Sequence, residues 1–143
     1  MIDTDALPQV RRVLTAIPGP KSAEMLKRRT EATSGGLGMA FPVIVEKAHD
    51  SILLDIDGNQ IIDLGSGIGV TNVGNSAPRV VERVLKQVRE FTHTNFTTAP
   101  YENYIEVCEW LNKNTPGTFA KKSLLVNSGA EAVENAKIGR AHV

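Results

Sequence analysis

The residues with the clearest chemical potential lie late in the chain, in Val126-Asn127-Ser128-Gly129-Ala130-Glu131. An apolar run that passes through a Ser-Gly turn into a helix leaves the first backbone N–H groups of that helix without intrahelical partners. Together with the positive end of the helix dipole, those groups make an anion site suited to phosphate. Gly129 has no side chain to hold an anion at a distance. The same residues admit a reading that needs no ligand. Ser128-x-x-Glu131 has the spacing of a capping box, in which hydroxyl and carboxylate each satisfy a free N–H. Residue types alone leave both readings open.

Other candidate chemistry is thinner. Gly65-Ser66-Gly67-Ile68-Gly69-Val70 invites comparison with a dinucleotide fingerprint, but Val70 stands where the third glycine should be and Thr71 to Asn75 continue as loop. An open loop that packs closely against a ligand or another subunit is expected instead. Asp55-x-Asp57-Gly58-Asn59 offers acidic oxygens without calcium-loop spacing, so it reads as a turn. His93 has no Cys, Ser or second His to form a constellation with it. Cys108 falls on an apolar helix face and reads as core, and Lys121 and Lys122 read as solvated.

The elements that must position these residues follow from periodicity. Pro8 and Pro18-Gly19-Pro20 bracket a short helix expected over Gln9–Ala16, with Val10, Val13, Leu14 and Ile17 on one side. A second helix is expected over Ser22–Arg29, with Ser22 as N-cap and basic residues in the last turn. From Phe41 the period becomes that of strands. Val43–Lys47, Ile52–Asp55 and Gln60–Leu64 are separated by turn residues and predict a small antiparallel meander. Pro78 opens a helix carrying Val80, Val81, Val84, Leu85, Val88 and Phe91 at helical spacing. Pro100 opens another, with Tyr101, Tyr104, Ile105, Cys108 and Leu111 on its buried face, stopped by Thr115-Pro116-Gly117. Ser123–Val126 is expected as a short buried strand that turns into the last helix. The class is α/β.

Composition narrows the function. The chain has 143 residues, 41% of them hydrophobic, with 16 basic and 16 acidic side chains. That length supports one core. The balanced, interleaved charge argues against a nucleic-acid partner, since such a surface shows excess Lys and Arg. The single Cys108 excludes an internal disulfide and gives no metal-ligand spacing. No apolar run approaches the ~20 residues that cross a bilayer. Met1-Ile2-Asp3-Thr4-Asp5 carries acids where a secretory leader carries bases, so a cytoplasmic location with no membrane partner is expected.

Five segments occur in order: Asp55-Ile56-Asp57-Gly58-Asn59, Ile62 to Val70, Gly74-Asn75-x-x-Pro78-x-Val80-Val81, Thr92-His93-Thr94-x-Phe96, and Asn127 to Ala136. From about Arg11 to Ala136 they give a chain that resembles the N-terminal part of class III pyridoxal-phosphate-dependent aminotransferases. Pro100-Tyr101-Glu102-x-Tyr104 and Pro116-Gly117-x-Phe119-Ala120-Lys121-Lys122 are most similar to the bacterial 4-aminobutyrate type within that family. The resemblance implies a fold-type-I α/β transferase. Residues 1–64 would belong to its small domain, meander included, and residues 65–143 would begin its large cofactor domain.

Carried over by position, Gly129 and Ala130 bind the phosphate of pyridoxal 5'-phosphate through backbone N–H groups, Ser128 lies beside them, and Ile68 lies against the substrate. Relatives often carry Ser where this chain has Ala130. The missing hydroxyl is worth roughly 1.5–3 kcal/mol toward a charged acceptor, while the amide donor stays. Thr97 stands where some relatives place a Gln near the substrate.

The implied reaction moves the amine of an ω-amino acid such as 4-aminobutyrate to 2-oxoglutarate, giving succinate semialdehyde and glutamate. Acetylornithine or another ω-amino acid is the alternative donor, and a non-catalytic phosphate-binding module is the alternative function. In the family the cofactor-bearing lysine, the aspartate facing the ring nitrogen and the carboxylate-binding arginine come later in the pattern. No catalytic residue and no metal is therefore assigned here, and this chain alone is expected to be inactive. A homodimer or dimer of dimers is expected of the longer parent. After Ala136 the sequence departs from the family pattern, and Ile138 to Val143 coincide with one reading frame of a common sequencing adapter. Residues 138–143 are thus expected to be non-native. On this reading the helices Pro78–Phe91 and Pro100–Asn114 have exposed apolar faces.

Overall fold

The β-branched runs after Phe41 pair as a meander. In the computed structural model, which describes residues 7–141, β1 (Val45–His49), β2 (Ile52–Asp55) and β3 (Gln60–Ile62) form one antiparallel sheet in the order β1-β2-β3. His49 faces Ile52 across the first pair, and Ile52 faces Ile62 across the second. β2 keeps its expected bounds, β1 is shifted two residues along to Val45–His49, and β3 ends at Ile62 instead of Leu64. Gly58 closes the β2–β3 turn at φ 87°, a left-handed conformation that glycine adopts without steric cost. The acidic opening Met1–Asp5 and the final His142 and Val143 lie outside the described residues.

The chain divides into two compact units, one ending at Arg89 and the other beginning at Glu90. In the first unit the most deeply buried side chains are polar. Ser22, Asp55 and Asn59 are fully buried, while Ile52 is the buried hydrophobic residue among those described. A three-stranded sheet of such short strands has little apolar surface to bury, so hydrogen bonds organise its centre. Asn59 Oδ1 accepts from the amides of Leu14 (2.7 Å) and Thr15 (2.9 Å). Its Nδ2 donates to Thr15 Oγ1 (2.9 Å) and Asp55 Oδ2 (2.7 Å). Asp55 Oδ1 accepts from the amides of Asp57 (2.9 Å) and Asn59 (2.8 Å).

This hub overturns the helix expected over Gln9–Ala16. The segment is irregular, with bends at residues 9, 10 and 15, and Arg12 exchanges backbone hydrogen bonds with Gln60 in both directions (2.9 and 2.7 Å). A helix of eight residues is marginal in isolation, whereas the outer edge of β3 offers ready backbone partners.

Helix α1 runs Pro20–Ala32, starting before the expected Ser22. Pro20 occupies the first turn, where its missing N–H costs nothing. Ser22 is not the N-cap. The cap position falls on Gly19, which has no side chain, and the capping oxygens arrive from the β2–β3 turn: Asp57 Oδ1 accepts from Lys21 N and Oδ2 from Ser22 N, both at 2.8 Å. A Cβ on Gly19 would overlap the Asp57 carboxyl group, so glycine there is a condition of this contact. Arg29 lies in the last turn, as the dipole favours.

The Asp57 carboxyl has a pKa lowered from its ordinary 3.8. Desolvation against α1 acts upward. The Ser22 side chain, the Ser22 and Lys21 amides and the Lys21 charge outweigh it. Ser22 Oγ falls short of hydrogen-bond geometry, so its part is that of a nearby dipole. A pKa depressed by folding gives stability that is complete above about 3.8 and lost as pH falls through the lower folded value. Asp57→Asn is therefore expected to lower the first unit's denaturation midpoint at about pH 7, with the difference from the parent shrinking at about pH 3. A difference independent of pH would contradict the charged cap.

Helix α3 (Pro78–Glu90) carries the expected apolar stripe, which the fold leaves substantially exposed: Val80 is 51%, Val84 53% and Val88 54% accessible. In the second unit, α4 (Glu102–Asn114) ends at Thr115 as the Thr-Pro-Gly stop requires. Its Ile105 is exposed, while Tyr104, Cys108 and Leu111 are half-buried. The strand expected over Ser123–Val126 is not formed, because no neighbouring strand pairs with it among the described residues. The segment nevertheless keeps a period of two: 121, 123 and 125 are half-buried and 122, 124 and 126 exposed. It leads into α5 (Gly129–Ala141).

Candidate functional site

The turn before α5 holds a complete capping box. Ser128 Oγ accepts from Glu131 N (3.2 Å), and Glu131 Oε2 accepts from Ser128 N (3.1 Å) and Asn127 N (2.7 Å). The first intrahelical bond runs from Ala132 N to Ser128 O (3.1 Å). Capping accounts for the amides of Asn127, Ser128 and Glu131. Among the described residues nothing accepts from the amides of Gly129 and Ala130. The two readings of this motif are thus compatible: the cap fixes the turn and leaves two adjacent donors facing solvent.

Those donors suit a phosphate group. They begin a helix of 13 residues, whose dipole places roughly half a positive charge at this end. They can only donate, and the oxygens of a phosphate dianion can only accept. A Cβ placed on Gly129 would meet nothing within 4 Å, so the approach is open. Ala130 contributes its amide and no hydroxyl. The Glu131 carboxylate is turned back toward Asn127 and Ser128, where it neutralises part of the field.

Ile68 belongs to the first unit. The expected open loop is one left-handed turn, α2 (Ser66–Gly69), with φ of 49°, 59°, 61° and 76° at Ser66, Gly67, Ile68 and Gly69. A β-branched residue rarely adopts that region, and Ile68 does so with its side chain 98% exposed. Asp63 Oδ1 holds the turn by accepting from Gly65 N (3.0 Å) and Ser66 N (2.8 Å). Behind it, Asp50 and Asn75 exchange backbone bonds at 2.9 Å. Gly74 makes this possible, since a Cβ there would sit 3.1 Å from the Asp50 Cα. Thr97, another candidate, has both its amide and its hydroxyl on Asn95 Oδ1.

Sequence reading missed two organising groups, one in each unit. Asn59 was legible as a turn residue but not as the centre of a buried hub. Tyr104 was legible as part of an apolar face, yet its hydroxyl both accepts from Leu125 N (2.9 Å) and donates to Leu125 O (3.3 Å). A tyrosine where phenylalanine would serve an apolar face is the one signal available. Among the described residues no group of His, Cys, Asp and Glu could hold a metal, and no helix is long and apolar enough to cross a membrane.

A small antiparallel meander followed by helices, with free amides beginning the last of them, defines a mixed α/β segment that carries a candidate anion-binding turn. The structure of the ornithine aminotransferase from Toxoplasma gondii, described with PLP at its active site, shares the fold: the TM-score is 0.69 at 23% identity, over 82% of this chain and 26% of that one. The sequence model of aminotransferase class-III matches residues 35–142. The chain belongs to that family. It is 56% identical over 138 residues to the 4-aminobutyrate aminotransferase of Mycobacterium tuberculosis, covering 96% of this chain and 31% of the relative. It is 45% identical to the 5-aminovalerate aminotransferase DavT of Pseudomonas putida, covering 82% of this chain and 28% of the relative. The chain thus spans under a third of the length of these curated relatives.

Proposed function

We propose that this chain supplies the phosphate-binding turn and part of the substrate wall of a transaminase that uses pyridoxal 5'-phosphate. The amine donor is an ω-amino acid, 4-aminobutyrate first, and the acceptor is 2-oxoglutarate. The observation that carries the reading is the 56% identity to a 4-aminobutyrate aminotransferase over 96% of the chain. The two free amides at Gly129 and Ala130 support it independently. When bound, the cofactor supplies the electron sink for carbanion charge. This chain's residues do the holding. Gly129 and Ala130 donate to the phosphate, Ser128 keeps the turn rigid through Glu131, and Ile68 presents an apolar side chain suited to the methylenes of the donor. Proton transfer is assigned to no residue here. A cytoplasmic homodimer or dimer of dimers belongs to the same proposal.

The test uses a polypeptide that carries this chain at the length of the relatives, assayed with 2-oxoglutarate and a panel of amine donors. The expected result is a kcat/KM for 4-aminobutyrate at least about tenfold above that for 5-aminovalerate or N-acetylornithine, a gap of ~1.4 kcal/mol in transition-state binding. Preference for N-acetylornithine, or no transamination with any donor, would contradict the proposal.

A further inference from the structure

We infer that Tyr104 is a positioning residue for the phosphate-binding turn: its single hydroxyl stands in for a neighbouring β-strand by pairing both backbone groups of Leu125, four residues before Gly129. This rests on the reading of that turn as the phosphate site.

In an antiparallel sheet a hydrogen-bonded residue exchanges both its N–H and its C=O with one partner. Segment 121–126 has the alternating burial of a strand but no strand beside it among the described residues. The Tyr104 hydroxyl, one donor and an acceptor, does that work: it accepts from Leu125 N at 2.9 Å and donates to Leu125 O at 3.3 Å. The hold repeats one step along. Ser123 Oγ donates to Asn112 Oδ1 at 2.8 Å, and Cys108 Sγ is 3.6 Å from Ser123 O. Tyr104, Cys108 and Asn112 are spaced four apart, so they form one row along α4. That row grips the half-buried residues 123 and 125.

The hydroxyl is itself fixed. The Tyr104 ring stacks on Phe96 with centroids 4.0 Å apart, and Tyr101 meets it edge-on at 6.1 Å. Beyond Leu125 there is little slack, because the amides of Asn127 and Ser128 are both tied to Glu131. Wherever Leu125 sits, the Gly129 and Ala130 amides follow. Charge-assisted hydrogen bonds depend steeply on geometry, so a site on a rigid support binds more tightly than the same donors on a loose one.

The test is Tyr104→Phe in the whole chain, which keeps the ring contacts and deletes the hydroxyl. Amide hydrogen exchange is followed residue by residue, and the chain is titrated with inorganic phosphate. In the parent, Leu125 is expected to exchange at least about tenfold more slowly than Leu124 and Val126. In the variant that protection is lost, the Gly129 and Ala130 amide resonances move before any ligand is added, and phosphate affinity falls about five- to tenfold. A purely structural role would lower the denaturation midpoint and leave the affinity of the folded chain unchanged; that result overturns the inference. So does a parent in which Leu125 exchanges as fast as its neighbours, a measurement that stands even where the variant does not fold. If phosphate moves neither Gly129 nor Ala130 in the parent, the phosphate reading fails. The exchange and ligand-free shifts then still decide whether Tyr104 sets the turn.

Discussion

Asn59→Leu is expected to cost the first unit about 3–5 kcal/mol. Leucine shares the branched outline of asparagine but is larger, so some overpacking adds to the loss of polar partners at this fully buried position. Four side-chain hydrogen bonds disappear together, and they strand the amides of Leu14 and Thr15 and Asp55 Oδ2, while the Thr15 hydroxyl keeps its bond to Ala16 O. A buried group left unpaired costs about 1–3 kcal/mol, and water can reach some of these three. Whole domains are stable by only about 5–15 kcal/mol, so the N-terminal segment should detach from β3 in the variant. Denaturant unfolding, with exchange at the Leu14 and Thr15 amides, measures it. A loss below about 1 kcal/mol would show that the hub is not the centre of the unit.

Gly129→Pro is expected to abolish most phosphate binding without disturbing α5. Proline is favoured at the first position of a helix, where its fixed φ suits the turn and its missing N–H breaks no intrahelical bond. The space is open, since a Cβ at Gly129 meets no atom within 4 Å, and the Ser128–Glu131 box does not use the Gly129 amide. What is removed is one of two donors to a charged acceptor, worth roughly 1.5–3 kcal/mol, or about ten- to a hundredfold in affinity. Calorimetry with inorganic phosphate, beside a helix signal from circular dichroism, separates the two effects. Unchanged affinity in a folded variant would place the anion elsewhere.

These contrasts show what the residues disclosed unaided. Several local signals held, although the helix expected from Pro100 starts at Glu102. The turn at Gly58, the start at Pro78, the stop after Asn114 and the cap at Ser128 each depend on neighbours within four residues. The class and the family were also legible, because the segments from Asp55 to Ala136 stand in the order of a class III aminotransferase. Reading failed where the partner is distant in sequence. The Gln9–Ala16 helix was lost to the β2–β3 turn some 45 residues away, where Asn59 takes the Leu14 and Thr15 amides, and to the edge of β3 at Gln60, which pairs with Arg12. Ser22 looked like a cap because nothing local announces that Asp57 supplies the oxygens. The strand at Ser123–Val126 has strand periodicity, but a strand is completed by pairing, and here the partner is the side chain of Tyr104. Of the site, the donors at Gly129 and Ala130 were visible, whereas the groups that aim them were not.

The most direct test is a proton–nitrogen correlation titration of this chain with pyridoxal 5'-phosphate. The expected result is a saturable displacement of the Gly129 and Ala130 amide resonances, larger than that of Asn127 and Ser128, whose donors stay on Glu131. If those two resonances stand still while another set of amides responds, the turn is a cap and nothing more.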